Sequence, residues 1–161
     1  MKKNFTKQLI CSFSVGFLPL LVGFILMTSI FSDIHLPLTV QSIVGTVCWV
    51  GWLLVWMLIS SKTEAPLLML CMGHIPGLFM LCSWMVPWKV LGEYPEWAFE
   101  CSQCFFLPTG ALYAGFKHML SYFAGGLSLF RGIDIFVFAY ILLILGGISG
   151  FICAKIAEQK R

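Results

Sequence analysis

The chain has 161 residues, 60% hydrophobic and 11% charged, with a mean hydropathy of +0.94 and a formal net charge of +3. Soluble domains run at about 45–50% apolar and about 25% charged, so an ordinary soluble fold is excluded, and disordered or nucleic-acid-binding classes fail for the same lack of charge. A membrane-crossing helix takes about 20 mainly apolar residues, which leaves room for a few spans and no separate soluble domain. The composition therefore predicts an all-α, polytopic integral membrane protein: one transmembrane domain over residues 1–161, with the lipid bilayer as its surroundings.

Lys2, Lys3 and Lys7 precede the first apolar run, about 9–31. That run exceeds the 7–15 residues of a typical signal-peptide core, and no small-residue cleavage site follows it. Cys11 also lacks the small-residue context of a lipidated cysteine. The expectation is an uncleaved first span. A polar turn containing His35 leads to a second span at about 38–59, where Trp49, Trp52 and Trp56 stand at i, i+3 and i+7. Such spacing reads as a packing or lipid-facing stripe. A second short turn leads to a third span at about 65–86, with Pro66 at a tolerated first-turn position. Short links make these neighbours antiparallel.

A fourth span is expected at about 133–154, bearing Gly146, Gly150 and Ala154 at four-residue spacing. Small residues on one face let a second backbone approach closely, either within the bundle or between copies of the chain. Arg131 and Asp134 at its start read as a local ion pair.

Between the third and fourth spans lies a stretch too apolar for a free loop and too polar for a clear span. Lys/Arg bias arbitrates. With four spans and both termini cytoplasmic, the inner side holds Lys2, Lys3, Lys7, Lys62, Lys155, Lys160 and Arg161, and the outer side only Lys89, Lys117 and Arg131. A fifth span evens this split and forces the basic C-terminus outside. The expectation is therefore a four-helix transmembrane bundle with an outer re-entrant or interfacial helical hairpin at about 97–130, broken at Pro108-Thr109-Gly110. Trp84, Trp88, Tyr94 and Trp97 would sit at the outer headgroup level.

Few residues remain that could carry chemistry. His74, in Gly73-His74-Ile75-Pro76-Gly77, is the one ionisable residue near the middle of a clear span. Pro76 leaves the Met72 carbonyl without its helical donor. His74 then reads either as a proton-relay or ligand site, or as a neutral imidazole bonded to freed backbone. Glu100 and Gln103, following Glu93 and Glu96, mark either the mouth of a cation path or the wet side of an interfacial helix. Cys101 and Cys104 share a helix face. They read as a redox pair, as half of a metal site with Glu100 and His118 as candidate further ligands, or as small apolar side chains. No second Cys-x-x-Cys or paired histidine accompanies them, so no metal and no cofactor is expected.

No nucleotide-binding glycine loop, metalloprotease helix or nucleophile elbow is present in the sequence. The leading expectation is a non-enzymatic membrane protein, either an accessory subunit or a component of a small-solute or proton pathway using His74, Glu100 and Gln103. The alternative is a membrane thiol–disulfide oxidoreductase using Cys101 and Cys104.

Overall fold

A computed structural model describes residues 2–29, 37–63, 65–123 and 132–159, with side chains except at 2–3, 38, 112–123 and 132–135. Six helices account for them: α1 Lys2–Val15, α2 Leu18–Ser29, α3 Leu38–Lys62, α4 Pro66–Leu91, α5 Glu96–Phe123 and α6 Gly132–Gln159. Four stretches are long and apolar enough to cross a membrane: Asn4–Thr28, Thr39–Lys62, Pro66–Leu91 and Phe136–Gln159. Each is at least 24 residues long. At 1.5 Å per residue that exceeds the roughly 30 Å of a bilayer's hydrocarbon core.

The first of these stretches is not one straight helix. It breaks at Gly16-Phe17, where Phe17 N–H turns back to the Ser14 carbonyl at 3.1 Å. Pro19 explains the break, because it has no N–H for the Val15 carbonyl and disfavours helical backbone in the residue before it. α4 opens on Pro66 and stops at Gly92, which takes φ +76° and donates its N–H to the Trp88 carbonyl at 3.0 Å. That left-handed cap favours glycine, which has no Cβ to strain it.

The expected break at Pro108-Thr109-Gly110 is absent, which corrects that detail of the hairpin reading. α5 runs unbroken from Glu96 to Phe123 with Pro108 inside it. A proline is tolerated in a helix packed among others when neighbouring groups cover the carbonyl it frees. The remainder of the expected hairpin, beyond residue 123, lies outside the described residues, as do His35 and Arg131; the side chains of His118 and Asp134 lie outside them too.

Contacts fix the direction of each helix. Gln8 of α1 and Lys62 of α3 line one pocket, so the start of α1 and the end of α3 share an end of the bundle. Phe99 near the start of α5 and Phe136 near the start of α6 both pack on Trp84 at the opposite end. α1, α2 and α4 therefore run one way, and α3, α5 and α6 the other. Lys7, Lys62 and Lys155 mark the first end; Lys89, Glu93, Glu96 and Glu100 mark the second.

The core is built around Trp52, Trp56, Met69, Leu70, Phe105 and Phe106, all buried. Outward faces are apolar as well. On α3, Ile43, Val47, Val50, Leu54 and Leu58 are exposed at helical spacing, and on α6, Ile141, Leu145, Ile148, Ile152 and Ile156 are. Apolar outside as well as inside is the pattern of a helix bundle in lipid.

Helices in such a bundle gain little from apolar burial and associate through close packing and polar contacts. Glycines supply the close approach here. A Cβ on Gly16 would collide with the Gly73 carbonyl and with Pro76 at 2.8 Å. One on Gly150 would collide with the Leu53 carbonyl and with the Met57 nitrogen at 2.9 Å. One on Gly23 would overlap the Cys104 carbonyl, which Pro108 leaves without a helical donor. The Gly146/Gly150/Ala154 stripe is thus occupied by α3 of the same chain at Gly146 and Gly150, and Ala154 is buried.

Candidate functional site

The tryptophan stripe on α3 builds the centre of the molecule. Trp49 and Trp52 point their indole N–H groups at α6, donating to the carbonyls of Leu142 at 2.8 Å and Leu143 at 2.9 Å. Gly146 makes room for them, since a Cβ there would lie 3.0 Å from Trp49 Nε1 and 3.1 Å from Trp52 Cδ1. Both halves of this joint were visible in the sequence as separate features; that they meet was not.

His74 projects from α4 into the same joint. Its ring stacks on Trp52, with centroids 6.0 Å apart and planes at 18°, and meets Trp56 edge-on at 5.5 Å. Tyr140 of α6 stands 6.5 Å from it and donates its hydroxyl to the His74 carbonyl at 3.0 Å. His74 Nε2 is buried and makes no hydrogen bond. It faces the bare Gly147, where a Cβ would lie 2.9 Å away. An unpaired buried polar atom costs about 1–3 kcal/mol, and the cluster holds two of them, since Trp56 Nε1 is buried without a partner as well.

Glu100 and Gln103 do not join it. Glu100 is exposed on α5 and Gln103 is half-buried, and no described contact links either to His74. Glu96 and Glu93 are exposed like Glu100. Cys101 and Cys104 are free, half-buried thiols. Cys104 Sγ lies 3.7 Å from Met27 Sδ, and Cys101 packs against the core. Among the described residues no three His, Cys, Asp or Glu side chains stand close enough together to hold a metal ion.

Beside the histidine cluster lies a crevice that the sequence did not announce. It encloses about 290 Å³ between α2, α3, α5 and α6, with Leu18, Val22, Cys48 and Val55 on its walls. Pro19 and Pro108 line two sides. Trp52 contributes to its lining, so the same indole joins crevice and histidine. Thr109, the one hydroxyl among the described lining residues, already donates to the Phe106 carbonyl at 3.3 Å. Gly51 opens onto the space: a Cβ built on it would have no atom within 4 Å. The only advance signals were Gly51 within a tryptophan-rich helix and the two prolines.

Comparison with known protein families, with characterised proteins and with solved structures finds no match for this chain.

Proposed function

We propose that the chain is a non-enzymatic, multi-pass membrane protein with both termini cytoplasmic, which holds a small apolar solute in the crevice beside Trp52. The crevice carries this reading. At about 290 Å³ it is close to the lower bound of small-molecule pockets, roughly 300 Å³, and it is lined almost wholly by apolar side chains. The one hydroxyl among its described lining residues is already satisfied, so the chemistry it selects is hydrocarbon without a required polar group. Trp52 is held by its bond to Leu143, so its ring needs little further ordering on binding. The concentration of lysines at the end shared by Gln8 and Lys62 supports placing that end in the cytoplasm.

A photoactivatable hydrocarbon probe tests it, with the protein in lipid nanodiscs and labelled residues mapped by mass spectrometry. Val22 and Val55 are expected to label, and Gly51→Leu, which fills the crevice, to suppress that labelling roughly tenfold while outward-facing Val47 still labels. Equal labelling in wild type and Gly51→Leu removes the proposal.

The unpaired His74 Nε2 favours a second reading, in which this site exchanges protons as part of a pathway. Proton flux into proteoliposomes would then be lost in His74→Phe; flux equal to wild type disposes of it.

A further inference from the structure

We propose that the pocket between the second half of α1 and the end of α3 binds a phosphate group, carried either by an anionic phospholipid or by free phosphate. The pocket encloses about 330 Å³ and is lined by Gln8, Ser12, Lys62 and Thr63 among the polar residues, with Cys11 and Leu58 on its apolar side. The spacing explains the arrangement. Gln8 and Ser12 stand one turn apart on α1, and Leu58 and Lys62 one turn apart on α3, so two helical faces confront each other across the space.

Two of the polar side chains are left unsatisfied. Gln8 Oε1 and Thr63 Oγ1 are both buried and make no hydrogen bond. A half-turn of the Gln8 amide presents its NH₂ in place of its oxygen, and the Ser12 and Thr63 hydroxyls rotate to donate. With the Lys62 ammonium, the pocket can offer four side-chain donors. Among the described residues, no carboxylate lines it.

Charge and surroundings select the ligand further. Lys62 sits in the last turn of α3, where a cation offsets the negative helix end that would otherwise repel an anion. Among the described residues Lys62 has no ion-pair partner, whereas Lys155 at the same end is bound to Glu158 at 2.7 Å. Cys11 and Leu58 give the pocket an apolar wall, and Leu58 is exposed, so the space opens beside the lipid-facing stripe of α3. A group that is phosphate at one end and hydrocarbon at the other meets both sides.

The test uses the purified full-length protein in detergent, titrated with dioleoyl-phosphatidylglycerol or dioleoyl-phosphatidylcholine, with bound lipid counted by native mass spectrometry. Phosphatidylglycerol is expected to be retained in preference. Lys62→Gln weakens retention roughly fivefold and Lys62→Glu roughly thirtyfold, the effect of one and two charges near a membrane surface. Thr63→Val keeps the shape, removes one donor and weakens retention roughly fivefold, which keeps the test sound if a charge variant fails to fold. Excess inorganic phosphate separates the sources: displacement of the lipid assigns the pocket to soluble phosphate, and retention assigns it to the phospholipid. Equal retention of both lipids without competition by phosphate, or wild-type retention in both Lys62→Glu and Thr63→Val, overturns the proposal.

Discussion

Gly23→Ala adds a single methyl group to α2 at the point where that helix rests on α5. The new Cβ would overlap the Cys104 carbonyl oxygen and lie 2.6 Å from its carbon and 3.3 Å from its Cα. All three are backbone atoms of a helix, so no side-chain rotation relieves the collision and the two helices must part. Overpacking of this kind costs about 1–3 kcal/mol, and the displaced Cα–H contact to the carbonyl adds about 0.5–1 kcal/mol. Against this, alanine is the better helix former by about 1 kcal/mol. Gly51→Ala isolates that last contribution, because Gly51 is also helical and its added Cβ meets nothing within 4 Å. Gly51→Ala is expected to be neutral or stabilising by up to about 1 kcal/mol, leaving a gap between the variants of about 2–4 kcal/mol. For a chain of this size that is roughly 4–16 °C in melting temperature. Thermal denaturation in detergent, followed by size-exclusion chromatography of the surviving folded fraction, reads it directly. Equal melting temperatures would refute the claim that α2 and α5 meet backbone to backbone.

Two hydroxyl and indole bonds divide the labour at the central joint. Tyr140→Phe removes only the bond to the His74 carbonyl, and interhelical polar contacts in membranes are worth about 0.6 kcal/mol on average, so a small loss is expected. Trp52→Phe removes the bond to Leu143 and part of the surface stacked on His74, so about 1–3 kcal/mol is expected in the same thermal assay. A larger loss for Tyr140→Phe than for Trp52→Phe would mean that the ring packing is misassigned.

Apolar content and run length made the helical class legible, because bilayer thickness imposes a length that few other folds need. The helix ends were less legible: the third stretch was expected to close near residue 86 and instead runs to Leu91 through Pro87. Proline misled in both directions. Pro19 hid inside a continuous apolar run yet ends α1, because the Val15 carbonyl has lost its helical donor. Pro108, with a threonine and a glycine after it, read as a break yet sits inside α5, because α2 covers the carbonyl it frees. Local signals state what a proline removes; only the neighbouring helix decides whether the loss breaks the chain. Trp49, Trp52 and Gly146 each read as packing features, but spacing along one helix carries no information about which partner it meets. His74 was singled out for its depth, and its aromatic surroundings were unreadable for the same reason. Glu100 and Gln103 were grouped with it as the scarce polar residues of the apolar region, and the fold keeps them apart.

The contact between Gly23 and Cys104 places unequal demands on its two members. α2 must present no side chain at all, whereas α5 offers only its main-chain oxygen, and that oxygen is available because of a proline one turn further on. The residue at position 104 is thus answerable to its own surroundings and hardly to its partner across the interface. A joint written in main-chain atoms leaves no pair of side chains that must change together. A change at Gly23 would have no compensating substitution at the residue it touches, so in this chain two helices can be locked together while the identity of one contacting residue stays free to vary.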